Sequence, residues 1–227
     1  MINSFINLFF PKVCAGCKGF LLENEAIICT RCRHEIPITQ FYLQHENDAF
    51  KLFYGRIDVE HVSSFLTFHK KGIVQELIHR LKYFGNQEIG TLLGNWYAED
   101  LKKVKVLETV DFIIPVPLHK KRLKKRGYNQ VETFGKALSA ELNIAYIDTI
   151  LVRKIDLKTQ SKKSLEERTK VNSSVFDVEY DERLHNKHFL LIDDVLTTGT
   201  TLENCGRAIF KIPGAKLSIV TMAVSHL

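Results

Sequence analysis

Residues Phe189 to Thr201 have the sequence F-L-L-I-D-D-V-L-T-T-G-T-T, and this stretch decides the fold. The apolar run Phe189 to Ile192 predicts a parallel strand buried on both faces, because such strands show no polar alternation. The run delivers Asp193 and Asp194 to the carboxyl end of the strand, and a helix is predicted to begin near Thr201. Open α/β sheets bind ligands outside the carboxyl ends of their strands. The stretch therefore predicts an α/β fold with a ligand site at this edge of the sheet.

The loop between the acids and the predicted helix has the chemistry of an anion site. Backbone N–H groups at a helix N-terminus can bind phosphate, and Gly199 lets the backbone approach it without a Cβ in the way. Threonine hydroxyls can donate to further phosphate oxygens. The acids would repel a phosphate, so we expect them to bind sugar hydroxyls near a divalent cation, which together indicates a ribose 5-phosphate ligand. The candidate phosphate-binding residues are Val195, Leu196, Thr197, Thr198, Gly199, Thr200 and Thr201.

This segment resembles the signature with which type I phosphoribosyltransferases bind phosphoribosyl pyrophosphate (PRPP). The alternative is a buried strand followed by an ordinary acidic turn, but the hydroxyl-rich loop with its glycine is much less common than an acidic pair. The resemblance implies a mainly parallel sheet flanked by helices, with PRPP bound together with Mg²⁺. It also implies that Asp193 and Asp194 are the catalytic acids, which hold the ribose and favour a cationic sugar during transfer.

A second stretch narrows the family. D-F-I-I-P-V-P, from Asp111 to Pro117, predicts a buried strand ended by prolines. L-H-K-K-R-L-K-K-R-G-Y-N-Q follows from Leu118 to Gln130, and Thr159-Gln160 precedes Arg168, Asn172 and Phe176, which are spaced R-x-x-x-N-x-x-x-F. In this order the segments resemble the ComF family, bacterial phosphoribosyltransferase-like proteins that include competence-associated members. A weaker match is Leu81-Lys82-Tyr83 followed by Gly85, and the resemblance covers essentially the whole chain.

The basic residues after the second strand are expected at the same edge of the sheet as the phosphate loop. Pyrophosphate must be held opposite the ribose phosphate, so we predict a pyrophosphate loop there; a solvated basic face is the alternative. Three further residues, if mobile, could close over the site as a lid that excludes water. The predicted pyrophosphate loop contains Leu118, His119, Lys120, Arg122 and Arg126, and the predicted lid contains Arg153, Gln160 and Arg168.

Four cysteines near the N-terminus form two CxxC pairs, Cys14/Cys17 and Cys29/Cys32. Each pair can present two thiolates to one tetrahedral ion, which predicts a structural Zn²⁺ in a zinc-ribbon-like module. Disulfides need an oxidising compartment, and a redox CxxC would need one pair opening a helix rather than two pairs in a short, hairpin-rich segment. The fifth cysteine, Cys205, is expected to be a small buried apolar residue.

Composition sets limits on the rest. The chain has 227 residues, 45% of them hydrophobic, which suits one substantial domain and a small appendage. No apolar run reaches the length of a membrane span, and residues 1–11 lack the features of a signal peptide, so we expect a cytoplasmic protein with a short amphipathic helix at its start. The net charge of +6 is compatible with a polyanionic sugar phosphate or with nucleic acid.

The predicted organisation is a cysteine module over residues 1–37, a linker or extension over 38–60, and a phosphoribosyltransferase-like domain over 61–227. Within that domain, alternating patterns predict strands at 61–68, 110–114, 149–152, 189–192 and 215–224. Helices are predicted at 72–84, 89–103, 129–142 and 201–210, and a Ser-x-x-Glu capping box predicts another at 164–170.

The predicted function is PRPP binding and phosphoribosyl transfer linked to DNA uptake and natural transformation. The alternatives are a protein that binds nucleic acid without transfer and a sensor of PRPP or a purine. Single-stranded DNA and DNA-uptake proteins are candidate partners, with the aromatic segment 41–54 as a stacking surface, although we expect those rings to pack between the two domains. The sequence does not indicate the acceptor of the phosphoribosyl group. His119 is the one candidate proton acceptor besides the two acids, so we expect slow or no transfer to free bases.

Overall fold

The computed structural model describes residues 11–154 and 175–225. Its centre is a sheet of five parallel strands in the order β1-β7-β6-β2-β3. An antiparallel pair, β4 and β5, lies apart from it. The strands are β1 (His61–Phe68), β2 (Phe112–Pro115), β3 (Ala145–Tyr146), β4 (Leu151–Arg153), β5 (Phe176–Val178), β6 (His188–Leu196) and β7 (Lys216–Ser225).

Helices cover both faces of the sheet. They are α1 (Thr30–Glu35), α2 (Asp48–Lys51), α3 (Ile73–Tyr83), α4 (Glu88–Leu101), α5 (Lys120–Arg126), α6 (Glu132–Leu142) and α7 (Thr200–Ile209). Short 3₁₀ turns occupy Phe41–Leu43, Lys105–Thr109 and Glu182–Leu184. The predicted fold class is confirmed: a parallel sheet is flanked by helices, and four clustered cysteines precede it.

The central strand β6 explains why two separate cores form. Its residues Phe189 to Ile192 are fully buried, as predicted, and their side chains alternate between the faces. Leu190 and Ile192 pack in the core that holds α3, α4, α6 and the cysteine segment. Phe189 and Leu191 pack in the second core, beneath α7 and the segment around α2. The result is a three-layer arrangement in which the carboxyl ends of β2, β6 and β7 meet at one edge.

The basic segment differs from its prediction as a loop, because residues 120–126 form helix α5. The His119 side chain caps the helix by accepting a hydrogen bond from the Lys121 amide at 3.1 Å. Gly127 ends it in the left-handed region, with a φ of 80° and an amide that donates to the Leu123 carbonyl. Lysine, arginine and leucine are good helix formers, so these local signals suffice without a buried face.

Residues 38–60, predicted as a linker or extension without a clear period, contain packed structure. The chain beside β1 forms an antiparallel bridge between Ile38 and Leu66. Helix α2 follows, and the buried Asn47 caps it by accepting a hydrogen bond from the Phe50 amide at 3.0 Å. Phe50 and Phe53 are buried in the second core, as expected for packing aromatics, whereas Tyr54 is exposed. The domain boundaries at residues 37 and 60 stay predictions.

A close approach of α4 to α6 at Gly94 generates a stability prediction. A Cβ on Gly94 would lie 2.6 Å from the Ala137 Cβ and 2.8 Å from the Phe134 carbonyl oxygen. Gly94→Ala should therefore lower the free energy of unfolding by about 1–3 kcal/mol, because overpacking outweighs the gain in helix propensity of about 1 kcal/mol. Denaturant unfolding measures the change. The exposed neighbour Asn95→Ala is the control and should be neutral or slightly stabilising; equal effects would refute the close packing.

Candidate functional site

The two predicted acids lie near the end of β6, which is longer than the predicted strand. The strand continues to Leu196 because its parallel pairing with β7 continues to the pair Leu196 and Val224. Successive side chains of a strand point to opposite faces, so Asp193 and Asp194 face different surroundings. Asp193 is partly exposed, whereas Asp194 is buried. The two acids are therefore not equivalent.

Asp194 is held from two sides by residues that are distant in sequence. The Lys82 Nζ, at the end of α3, donates to one carboxylate oxygen at 2.8 Å. The Gln130 Nε2 donates to the other oxygen at 2.6 Å. The Arg126 guanidinium in turn donates to the Gln130 Oε1 at 2.5 Å. Both oxygens of Asp194 thus have protein partners, and the contacts connect this acid to the basic helix α5.

Lys82 and Gln130 are site residues that the sequence analysis quoted only as motif positions. Lys82 belongs to the weak Leu81-Lys82-Tyr83 match, and Gln130 ends the stretch that follows β2. The Tyr128 hydroxyl donates to the Leu81 carbonyl, so a second hydrogen bond, from a side chain to the backbone, joins the two motifs. Their joint presence in the sequence was the available signal, because two motifs of one family often serve the same site. Their contact through Asp194 needed the structure.

Asp193 faces a small cavity and is poorly stabilised as an anion. Burial and the neighbouring Asp194 raise the pKa of Asp193 well above the ordinary value of 3.8. A hydrogen bond of 2.8 Å from the Asp194 amide to its Oδ1 opposes this rise without cancelling it. Among the described residues, Asp193 shares a cavity of about 30 Å³ with the phosphate loop. A carboxyl group with a raised pKa in a cleft is a common property of functional sites.

The predicted phosphate loop has the expected glycine geometry. Gly199 has a φ of 75°, a region that residues with a Cβ seldom adopt, and it precedes the first residue of α7. The Thr198 and Thr200 hydroxyl oxygens are 3.1 Å apart. The loop and Asp193 line the same cavity, which contains Val195, Leu196, Thr197, Gly199, Thr200 and Thr201 among its lining residues. The structure thus brings one predicted acid and most of the predicted loop together.

The segment after α2 contacts and supports the loop around Gly199. The Arg56 Nη1 donates to the Thr198 carbonyl and to the Leu52 carbonyl, each at 2.9 Å. Its guanidinium also pairs with Glu203 on α7. A Cβ on Gly199 would lie 3.3 Å from the Phe53 ring, so this ring lies directly against the loop backbone. Phe53 and Arg56 are structural supports that the sequence analysis did not identify.

The basic helix α5 lies at the same edge of the sheet as the acids. The Val116 amide donates to the Ile192 carbonyl at 2.9 Å, which joins the end of β2 to β6 just before Asp193. Leu118 and His119 follow Pro117 and lead into α5, which carries Lys120, Arg122 and Arg126. The Asn129 Nδ2 donates to the Val116 carbonyl at 3.1 Å and fixes the return of the chain. The predicted pyrophosphate residues therefore begin beside the acids.

Of the three predicted lid residues, Arg153 lies in the described part of the chain. It ends β4, and its guanidinium carbon is 5.3 Å from the centre of the Phe176 ring on β5. Gln160 and Arg168 lie outside the described residues, as do Thr159, Asn172, the predicted capping box at Ser164 and the predicted N-terminal helix. The lid stays a prediction.

The four N-terminal cysteines form one cluster that could hold a metal ion. Their sulfur atoms all lie within 4.8 Å of one another, and the sulfurs of Cys17 and Cys29 are 3.7 Å apart. A tetrahedral ion with metal–sulfur bonds of about 2.3 Å would separate its sulfurs by about 3.8 Å. The described cysteines form no disulfide, and Cys205 is fully buried in the second core, as expected.

Backbone amides around Cys14 favour its thiolate form. Burial alone would raise the pKa of Cys14, but hydrogen bonds from the backbone of Cys29, Cys17 and Gly16 outweigh it and lower the pKa to about 7. The second pair opens helix α1, which was not expected in a hairpin-rich segment. Cys29 caps this helix by accepting a hydrogen bond from the Cys32 amide at 3.4 Å. One pair in a turn and one at a helix N-terminus together present four sulfurs to one point.

The cysteine segment packs on the rest of the protein. Cys14 and Cys32 belong to the same core as α3 and α4. The Lys18 Nζ is 3.2 Å from the Glu76 carboxylate, and the Arg33 guanidinium lies 5.1 Å from the Trp96 ring centre. The cysteine cluster therefore lies against the helix that carries Lys82. Across the described residues, no helix has the length and apolar character needed to cross a membrane.

The chain is similar in sequence to three known proteins along most of its length or a large part of it. The chain is 25% identical over 229 residues to competence protein F of Haemophilus influenzae, across 95% of this chain and 98% of that protein. It is 24% identical over 206 residues to competence protein ComFC of Bacillus subtilis, across 88% and 78% of the two chains. It is 27% identical over 146 residues to DNA utilization protein YhgH of Escherichia coli O157:H7, across 63% of each. The similarity to ComF proteins predicted from the motifs is confirmed.

No protein-family model matches the chain. Among solved structures, adenine phosphoribosyltransferase from Leishmania tarentolae has a TM-score of 0.38 and 13% identity, over 80% of this chain and 89% of that one.

The raised pKa of Asp193 generates a prediction about pH and stability. A group that binds its proton more tightly in the folded state stabilises the protein below its unfolded pKa, and this contribution is lost as pH rises toward the folded value. Asp193→Asn removes the cost of ionising this carboxyl group beside Asp194, so it should raise the melting temperature relative to the parent increasingly from about pH 4 to about pH 8 and not further above that. Exposed Asp148→Asn should show no such trend. A difference that does not change with pH would contradict the pKa shift.

Proposed function

We propose that the chain is a PRPP-binding protein of the ComF type, a phosphoribosyltransferase linked to DNA uptake and natural transformation. The observation that carries the proposal is the cavity shared by Asp193 and the Gly199 loop at the carboxyl end of the central parallel strand. The relatives are named competence proteins and a DNA utilization protein, and these names support the link to DNA uptake. A cytoplasmic location would fit this role.

The proposed ligand extends from the loop to the basic helix. Backbone amides of residues 195–201 and the threonine hydroxyls would bind the 5-phosphate at the N-terminus of α7. Asp193, which lines the cavity, would accept hydrogen bonds from ribose hydroxyls. Asp194 would act together with Lys82, since both of its oxygens have protein partners. Leu118, His119, Lys120, Arg122 and Arg126 would surround the pyrophosphate.

The proposed chemistry is the transfer of a phosphoribosyl group. A nucleophile would attack the anomeric carbon of the ribose while the bond from that carbon to pyrophosphate breaks. Positive charge develops on the sugar, and negative charge on the leaving group. The carboxylates would stabilise the positive charge, and Lys120, Arg122 and Arg126 would stabilise the negative charge, so catalysis would rest on positioning and electrostatics. Mg²⁺ would enter with PRPP and offset part of the pyrophosphate charge.

For the cysteine cluster we propose one structural Zn²⁺ held by Cys14, Cys17, Cys29 and Cys32. Four thiolates are the ligand set of closed, structural zinc sites. The sulfur spacing fits a tetrahedral ion, and the lowered pKa of Cys14 favours the form that binds metal. Because this cluster lies in the core that contains α3, we propose that the ion stabilises the whole domain and not only the cysteine segment.

Ligand binding is tested by thermal unfolding with PRPP and Mg²⁺. PRPP at one hundred times its dissociation constant should stabilise the protein by about 2.7 kcal/mol. Arg122→Gln should weaken PRPP about tenfold or more, because it loses a charge-assisted hydrogen bond, yet leave ribose 5-phosphate unaffected. Asp193→Asn should weaken both ligands.

The matched controls are exposed residues outside the site. Lys105→Gln, on the 3₁₀ turn before β2, controls for lost positive charge, and Asp148→Asn controls for the lost acid. Neither should change binding. If Arg122→Gln weakened PRPP and ribose 5-phosphate equally, α5 would not hold the pyrophosphate. If PRPP gave no stabilisation at all, the proposed function would be wrong.

The metal is tested by elemental analysis and chelation. The purified protein should contain about one zinc per chain. Removing the zinc should lower the temperature of the single unfolding transition, because metal binding supplies folding energy. Cys17→Ser should lose the zinc, because its exposed sulfur is one of the four ligands. Cys205→Ala, in the other core, should retain it. A protein that melts identically with and without chelator would contradict the structural role.

A further inference from the structure

Helix α5 carries positive charge that the protein does not neutralise. Six of its seven residues are basic. In the described part of the chain none of them has a carboxylate at ion-pair distance, whereas Lys102 and Lys103, just after α4, pair with nearby acids. A single pyrophosphate beside Arg122 and Arg126 would leave the remaining lysines uncompensated. The unmatched cations are Lys120, Lys121, Arg122, Lys124, Lys125 and Arg126.

Exposed aromatic rings lie directly beside this helix. Tyr83 and Phe84, at the end of α3, are 58% and 67% exposed. The ring of exposed His79 has its centre 5.0 Å from the Tyr83 ring and 5.5 Å from the Phe84 ring. Two large neighbouring rings left in water usually indicate a surface that binds something.

Arg126 joins the rings to the helix. Its guanidinium carbon lies 5.1 Å from the centre of the Tyr83 ring, and the same side chain donates to Gln130, which holds Asp194. The rings, the cations and the proposed PRPP site are therefore continuous. We call His79, Tyr83, Phe84 and helix α5 the basic–aromatic face.

We propose that the basic–aromatic face binds single-stranded nucleic acid, with bases stacked on Tyr83 and Phe84 and phosphates bound by the lysines of α5. Proteins that bind single strands combine a row of cations for the backbone with aromatic rings for the bases. The proposal goes beyond the PRPP site, because it needs no PRPP. It also differs from the stacking surface expected at residues 41–54, where Phe50 and Phe53 are buried.

Other polyanions fit this face less well. A membrane-surface helix needs an apolar face to insert, but Leu123 is the one apolar residue of α5. An acidic protein segment would match the cations without using the flat rings. Bases in duplex DNA are stacked on each other and cannot stack on Tyr83 or Phe84, so a single strand uses both halves of the face.

The test is fluorescence anisotropy of the full-length protein with a labelled oligodeoxythymidine of about 12 nucleotides, within the usual site sizes. The parent should bind it more tightly than an abasic oligonucleotide of equal length. Phe84→Ala should weaken binding to oligodeoxythymidine about tenfold, the effect of one lost stacking contact, and leave the abasic strand unaffected. Phe84→Trp keeps an aromatic ring at this position, so it should bind oligodeoxythymidine about as tightly as the parent does.

The charged half is tested by salt dependence. Lys121→Gln with Lys125→Gln, one turn apart on α5, should reduce the slope of log affinity against log salt by about 1.4, or about 0.7 for each lost phosphate contact. Neither lysine belongs to the proposed pyrophosphate set, so PRPP stabilisation measured on the same variants should persist. If the variant loses oligonucleotide binding but keeps PRPP binding, the basic–aromatic face and the PRPP site are separate.

Matched controls lie elsewhere on the surface. Phe20→Ala removes an aromatic ring that is 74% exposed on the cysteine segment, and Lys105→Gln removes an exposed lysine before β2. Both should bind like the parent. Equal affinity of the parent for the abasic and base-containing strands, or equal losses in the controls, would overturn the proposal. So would binding to anionic lipid vesicles with none to the oligonucleotide.

Discussion

Asp194 lies almost wholly out of water, and a buried carboxylate is stable only when protein groups replace its lost hydration. Lys82 and Gln130 supply that replacement, one to each oxygen. The end of α3, the turn before α6 and the end of β6 must therefore meet at one point. Arg126 extends the constraint to α5 through Gln130. Asp194 and the basic helix are connected by hydrogen bonds through Gln130, so a change in one should affect the other.

A second constraint acts on the loop that follows the acids. The left-handed conformation of Gly199 is held in place because Arg56 binds the Thr198 carbonyl and Phe53 lies against the glycine. Arg56 also pairs with Glu203, one turn into α7, so loop and helix are fastened to the same support. Preorganised amides can bind an anion without paying to reorder the loop. This makes the segment after α2 part of the site, although it lies far from the loop in sequence.

The sequence predicted those elements whose signals are local. The apolar run at Phe189 to Ile192, the alternation of β1 and the period of α3 each appear in a few consecutive residues, and the structure confirms them. Helix α5 was missed because a segment of six basic residues and a single leucine has no apolar period to detect. Strands β3 and β5, with two and three residues, are too short to show alternation.

Contacts between residues that are distant in sequence could not be predicted, for a different reason. Nothing in the local sequence of Lys82 shows that its partner is Asp194, and the linker-like composition around Arg56 hides its contact with the phosphate loop. The cysteine cluster was predictable because the spacing within each CxxC pair already fixes two sulfurs side by side. Only the helix that begins at the second pair needed the structure.

The two acids create an electrostatic problem that the structure solves unequally. Adjacent carboxylates next to a phosphate loop would repel a polyanionic ligand before it could bind. Lys82 neutralises Asp194, and burial beside that acid makes Asp193 hold its proton more tightly. The free site thus presents less negative charge than two ionised acids would. In the proposed transfer, positive charge developing on the sugar would favour ionisation of Asp193 at the place where its carboxylate would stabilise that charge. Its cost in stability at high pH is then a direct consequence of the proposed function.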